Sequence, residues 1–488
     1  MWIERCGHVS LWLFHVTFWL VGICTDPLHL SPFIEKGDIK SALELSEVKD
    51  PDNIIPRSYA GFITVDKKLG NHLFFWFFPA ISEPQAPVLV WLNGGPGISS
   101  MLGLLWENGP IRAIGGLGFS VNKISYERWN NSWAESFAML YIDNPVGTGF
   151  SYSESGSRGW KTTNKGYTED LFSFINQFYL LFPDYLKTEL YIGGQSYAGK
   201  YVPALAFRIH KERQAKRSAL PLAGIYLGGP FFDPYTQSLA QGRFYYSLGA
   251  VSLAQHLNHQ KAVRELFDRN DTRGETMQSI FYKLTNVTTY IKNNYHTAEE
   301  PGYTFVSFTM NTRRVRQLIH VGSQLRFQVI NMDLNKKFAA DTLVSTKPQL
   351  AEVMDNYKVL IFNGDFDGII TAVMTEEAIL STPWSLQGVY NESDRLQWKT
   401  GDTIVGYYTH VGQFCRVIVR NAGHQTPYDQ PEVTRQMMLD FVRHGCISRS
   451  ESFHTGILTP ILTVKNRSNM TTLCIYVLAV LLLTSINN

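Results

Sequence analysis

Short, uninterrupted apolar runs that end in turn residues recur along the chain: "PVLVWLNGGPG" (87–97), "FAMLYIDNPVG" (137–147), "ELYIGG" (189–194), "LAGIYLGGP" (222–230), "YKVLIFNGD" (357–365) and "CRVIVRNAGH" (415–424). A strand buried on both faces reads this way, whereas a half-solvated strand alternates. Helical stretches such as "TEDLFSFINQFYLLF" (168–182) supply the crossovers that parallel strands require. Ahead of them, "SYAGFITVDKKLGNHLFFWFF", beginning at Ser58, reads as a hairpin, two β-rich runs around a Lys-Lys-Leu-Gly-Asn turn. From about 233 to 345 the rhythm gives way to helical, polar sequence. The pattern predicts an α/β protein: a doubly wound, mostly parallel sheet with an inserted helical cap at the end where open α/β sheets bind ligands. The expected core is 25–232 and 346–448, with the cap at 233–345.

Composition adds little to this. The chain has 488 residues, 44% hydrophobic and 18% charged, which is ample for a sizeable core. A net charge of +2 selects no partner, and the basic run "KERQAKR" (Lys211–Arg217) reads as a solvated helix face, so no nucleic acid is expected. The ends carry more. Arg5 precedes an apolar run from Val9 to Ile23, and Gly22 and Cys24 supply small residues, which predicts a signal peptide over 1–24 cleaved before Thr25. Asn-x-Ser/Thr sequons at Asn130, Asn270, Asn286, Asn391, Asn466 and Asn469 agree with passage through the secretory pathway, to a secreted or lysosomal destination. A polar stalk (449–471) leads to an apolar tail (472–488), short for a bilayer-spanning helix. The tail reads as a lipid-anchor signal, a short membrane anchor or an incidental end. Of the cysteines, Cys415 and Cys446 clearly belong to the body, and their pairing is left open. No HExxH or clustered Cys/His spacing occurs, so neither metal nor cofactor is expected.

The chemistry sits just past the strands. In "ELYIGGQSYAGKYVPALAF" a strand runs into Gly194-Gln195-Ser196-Tyr197-Ala198 and then a helix, the layout of a nucleophile elbow, although Ala198 stands where the usual GxSxG has glycine. A serine hydroxyl needs a base, and His424, in "NAGHQTPYDQP" after a strand, is the histidine best placed to be one. The base needs a carboxylate, and "FNGDFDGI" offers Asp365 and Asp367. Either acid alone also reads as a turn-stabilising carboxylate. The order Ser, Asp, His is that of the α/β-hydrolases.

Together, "WLNGGPGISSMLGLLWENGP", "NNSWAESFAMLYIDNPVGTGFSYS", "GGQSYAGKYVPA", "NGDFDGI" and "NAGHQTPYDQP" resemble the serine carboxypeptidase family, including its vitellogenic-like members, from about Tyr59 to Val442. The resemblance implies Ser196 as nucleophile, His424 as base and Asp367 as the orienting acid. It also implies an oxyanion hole from the backbone N–H groups of Gly95 and Tyr197. Substrate would be a peptide or protein with a free C-terminus, its carboxylate held by Asn93, Gly94, Glu107 and residue 195. The oligomeric state stays open, a homodimer included.

Residue 195 is the main departure, because the family usually has Glu where this chain has Gln195. Two carboxyls close to a substrate carboxylate must share protons, whereas an amide donates hydrogen bonds at any pH. Gln195 is therefore expected to widen the working range toward neutrality, while Glu107 still prefers its proton. A second departure is "LGGPFFDP" (227–234), where the family usually has an asparagine between the glycines; it is expected to bear on pocket shape. The leading expectation is a serine carboxypeptidase. An acyltransferase on the same scaffold and a catalytically silent binding or protective protein are the alternatives.

Overall fold

The apolar runs become the centre of an 11-stranded sheet. The computed structural model describes residues 26–83, 85–114, 125–269, 277–287 and 302–448. Its main strands are β1 (Tyr59–Asp66), β2 (Asn71–Phe78), β3 (Val88–Leu92), β4 (Ala138–Ile142), β5 (Leu190–Gln195), β6 (Leu222–Gly228), β7 (Lys358–Gly364), β8 (Leu396–Thr400), β9 (Thr403–Val411) and β10 (Phe414–Val419). They lie in the order β1-β2-β4-β3-β5-β6-β7-β10-β9-β8, and the short strand Tyr152–Ser153 pairs with β2. From β4 to β10 every neighbour is parallel. The flanking pairs are antiparallel, including the expected β1–β2 hairpin.

Successive strand side chains point to opposite faces, and both faces here are apolar. Phe75, Phe77, Val90, Leu140, Ile192, Ile225 and Ile361 feed one buried cluster; their neighbours Phe74, Trp76, Leu89, Met139, Tyr191, Tyr226 and Leu360 feed another. Helices α1 (Asn164–Leu181) and α2 (Ala198–Gln214) cover the first face through Leu171, Phe174, Phe178, Val202, Leu205 and Ile209. Met437, Met438 and Phe441, on the helix Pro431–His444, cover the second. Burial on both sides explains why the strands read as continuous runs, and the α/β expectation holds.

Two of the main strands escaped the sequence reading. β8 and β9 lie at an edge, with β8 buried only at Trp398. Their signal was the turn glycines Gly401 and Gly412 around polar, half-solvated segments. Cys415 and Cys446 form a disulfide with Cα atoms 5.2 Å apart, tying β10 to the residues after the helix Pro431–His444.

The chain leaves the sheet between the paired strands β6 and β7. There the described residues form helices and turns, from Pro234–Ser247 through the short α3 (Ala339–Thr342) to Lys347–Asn356, with an isolated bridge from Ile330 to Ile98. Asn130, Asn286 and Asn391 are exposed. The expected signal peptide, stalk and tail, and Asn270, Asn466 and Asn469, lie outside the described residues. Among the described residues no helix is long and apolar enough to cross a membrane.

Candidate active site

The elbow forms because the chain must turn from β5 into α2 within two residues. Ser196 takes φ = 62°, a left-handed conformation uncommon for a side chain with a Cβ, and costing about 1–3 kcal/mol. The surroundings hold it there. Its N–H donates to the Gly228 carbonyl (3.0 Å), and its own carbonyl accepts from Gly199 and Phe231 (2.9 Å each). A Cβ on Gly194 would meet the Leu92 carbonyl oxygen at 2.1 Å and the Ala198 methyl at 2.8 Å. Ala198 is therefore admissible because residue 194 has no side chain of its own.

Ser196, Asp367 and His424 all follow C-terminal ends of parallel strands: β5, β7 and β10. Asp367 Oδ2 lies 2.8 Å from His424 Nδ1, and both residues are buried. Asp367 Oδ1 accepts from the N–H groups of Ile369 (2.8 Å) and Ile370 (3.0 Å), which aims Oδ2 at the ring. A carboxylate on Nδ1 keeps the proton there and leaves the Nε2 lone pair free to act as a base. Asp365 does something else: its Oδ1 accepts from Ala422 N–H (3.3 Å), and burial pushes its carboxyl up from the ordinary range. Beside the Asp–His pair lies Gly229, which directly follows Gly228, the acceptor of the Ser196 N–H. A Cβ there would come 2.7 Å from Asp367 Oδ2 and 3.2 Å from His424 Nδ1. The second sequence departure thus borders the Asp367–His424 pair, not only the pocket wall.

The other four residues also converge. Gln195 Nε2 donates to Glu107 Oε1 (2.7 Å), and Asn93 Nδ2 donates to the same oxygen (3.2 Å). Asn93 Oδ1 accepts from Trp91 Nε1 (2.8 Å) and Gly103 N–H (3.2 Å), which fixes its amide. Gly94 packs on the elbow so closely that a Cβ would sit 2.4 Å from Tyr197 N and 2.8 Å from Ser196 Cβ. Among the described residues, the N–H groups of Gly95 and Tyr197 donate to no other backbone carbonyl. The Asn93-Gly94-Gly95 loop is braced from behind by the buried Asp143. It accepts from Ser99 Oγ (2.5 Å), Ser100 N–H (3.0 Å) and Phe150 N–H (2.9 Å), and burial pushes it up to about 7.

A family model described as serine carboxypeptidase matches residues 49–444. The chain belongs to the serine carboxypeptidase family. As a serine carboxypeptidase it is 38% identical over 444 residues to the probable serine carboxypeptidase CPVL of Rattus norvegicus, covering 86% of this chain and 90% of the relative. It is 35% identical to the vitellogenic carboxypeptidase of Aedes aegypti, covering 85% and 90%. Among solved structures it resembles a prohormone-processing carboxypeptidase, Kex1, from Saccharomyces cerevisiae. The TM-score is 0.69 at 23% identity, covering 82% of this chain and 96% of the other, a likeness of fold. The carboxypeptidase fold is thus the α/β-hydrolase fold expected from the sequence.

Sequence reasoning missed a buried polar group behind the elbow of this carboxypeptidase. Lys200, fully buried in the first turns of α2, donates to the main-chain oxygens of Asp341 and Val344, the latter at 2.7 Å. Tyr197 Oη donates to Asp341 Oδ2 (2.7 Å), and Tyr167 Oη lies 3.5 Å from the same oxygen. Burial pushes Lys200 down to about 8 and Asp341 up. The available signal was a lysine on an otherwise apolar helix face.

Proposed function

We propose that Ser196 is the nucleophile, His424 the general base and Asp367 the acid that orients it, in the hydrolysis of the C-terminal peptide bond of peptides and proteins. The observation that carries this reading is the 2.8 Å contact between Asp367 and His424, beside Gly229, whose neighbour Gly228 accepts from the Ser196 N–H. His424 Nε2 takes the proton as Ser196 Oγ attacks the last peptide carbonyl. The oxyanion is held by the N–H groups of Gly95 and Tyr197, each such donor being worth about 100- to 1,000-fold in rate. His424 then protonates the departing amino acid, and water, activated by the same ring, resolves the acyl-enzyme.

Specificity for the chain end is assigned to Asn93, Gly94, Glu107 and Gln195. Support comes from their shared hydrogen bonds and the contact of Gly94 with Ser196 Cβ. Residues 25–232 and 346–448 are read as the hydrolase core, with 233–345 as its cap. A secretory-pathway setting fits the apolar N-terminal run, the exposed sequons and the Cys415–Cys446 disulfide, since such bonds persist in oxidising compartments.

The test is turnover of an N-blocked dipeptide with a free C-terminus, with its amidated counterpart as control. The expected result is release of the last amino acid, abolished by Ser196→Ala and by a serine-directed reagent. Labelling of Ser196 without release of an amino acid would overturn the peptidase assignment.

A further inference from the structure

A stretch late in the segment between β6 and β7 contacts the loop just after Gly95 and the phenol of Tyr197, the two residues whose N–H groups are assigned to the oxyanion hole. On one side, Asn331 N–H donates to the Gly97 carbonyl (3.0 Å) and Asn335 Nδ2 to the Pro96 carbonyl (3.0 Å), immediately after Gly95. Asn331 Nδ2 also reaches the Gly147 carbonyl (2.8 Å), and Ile330 bridges Ile98. On the other side, Asp341 accepts from the phenol of Tyr197, whose N–H is the second donor. Lys200 ties the same stretch down through the carbonyls of residues 341 and 344. The Tyr197 ring is itself buried against Phe338 (centroids 5.9 Å apart) and Tyr201 (5.5 Å).

We infer that residues 331–341 form a clamp that positions the oxyanion hole, with Asp341, acting through Tyr197, and Asn335, acting through Pro96, as its positioning residues. The physical reason is geometric. An oxyanion donor works only when aimed at the place where charge develops. Main-chain direction at Tyr197 follows its side chain, and that side chain ends on a buried acceptor. Neither side chain of the clamp touches substrate in this scheme, so its loss should lower kcat while leaving ground-state binding nearly unchanged. The charged and titratable groups around Asp341 are Lys200, Tyr197, Tyr167, Tyr201 and, more distantly, Asp233, which pairs with Lys347 (2.5 Å).

This inference rests on the proposed role of the Tyr197 N–H. The test compares wild type with Tyr197→Phe, which keeps the ring and loses only the oxygen, and with Asp341→Ala, Asp341→Asn, Asn335→Ala and the Tyr197→Phe/Asp341→Ala pair. The readouts are kcat and KM on the blocked dipeptide, and affinity for a blocked peptidyl aldehyde, whose adduct with Ser196 bears the oxyanion. Expected are losses of about 10- to 100-fold in kcat for Tyr197→Phe and Asp341→Ala, with KM within about threefold, and aldehyde affinity falling in step. The double variant should lose no more than the worse single one, because both act on one element. Asp341→Asn, which keeps an acceptor for the phenol, should recover part of the loss. Folded Tyr197→Phe with kcat and aldehyde affinity within twofold of wild type would overturn the clamp alone, as would additive losses in the double variant. Absence of turnover and of aldehyde binding in wild type would overturn the proposed function and the clamp together.

Discussion

Replacing Gln195 by Glu adds one carboxyl to a place already occupied by another. The Gln195 Nε2 to Glu107 Oε1 distance is 2.7 Å. Two unit charges at that separation would repel by about 6 kcal/mol at an effective dielectric constant of about 20, and by about 4 kcal/mol once each is spread over two oxygens. At 1.36 kcal/mol per pH unit, about 4 kcal/mol lifts the second dissociation of the pair by about three pH units, from the ordinary Glu range to about pH 7. Below that point the two carboxyls of the variant, at positions 195 and 107, share a proton and grip a substrate carboxylate; above it they carry one charge more than the wild-type site does. In kcat/KM for a blocked dipeptide, Gln195→Glu should stay within about threefold of wild type near pH 5. By pH 8 it should fall about tenfold or more below it, mainly through KM. The gap should vanish for the amidated substrate, which has no terminal charge to repel. Coincident profiles, or a gap that persists with the amide, would refute the assignment of residues 195 and 107 to the chain end.

Asp367→Asn should cost about 10,000-fold in kcat by releasing the His424 tautomer, whereas Asp365→Asn, bonded to the Ala422 N–H, should cost less than about tenfold; steady-state rates decide. Removing the Cys415–Cys446 disulfide, which closes a separation of 31 residues, should lower stability by about 3–4 kcal/mol, measured by denaturant unfolding of Cys415→Ser/Cys446→Ser. His29 and His72 lie with rings 4.3 Å apart beside Glu154, Asp26, Tyr152 and Thr64. Burial lowers both, His29 to about 4. The contribution of His29 to stability is therefore full above about pH 6.5 and lost as pH falls toward about 4. The difference in unfolding midpoint between wild type and His29→Gln should shrink or reverse over that interval. A constant difference would show that protonation of His29 is not the cause.

How much was legible in the sequence followed from burial. Strands covered on both faces, such as Leu190–Gln195 and Lys358–Gly364, announced themselves as apolar runs. The edge strands β8 and β9 did not, because solvent on one side dilutes the signal. Ser196 and His424 stood out by their place after strands, while Asp365 and Asp367, two positions apart, were separable only by the geometry that gives Asp367 to His424. The Asp341–Lys200 group was invisible for a different reason: its members are 141 positions apart, and nothing local marks either as the other's partner. The Cys415–Cys446 bond was likewise a matter of distance in space.

The insertion between β6 and β7 has a consequence for how the catalyst could be divided. In the proposed triad the serine comes from polypeptide before it, the aspartate and histidine from polypeptide after it, so neither half alone should turn over substrate. What reunites them is a seam of parallel partners running from Gly224 against Lys358 to Gly228 against Phe362. Severing the backbone inside those helices would leave that seam intact, and two co-expressed fragments should reassemble into a working pair.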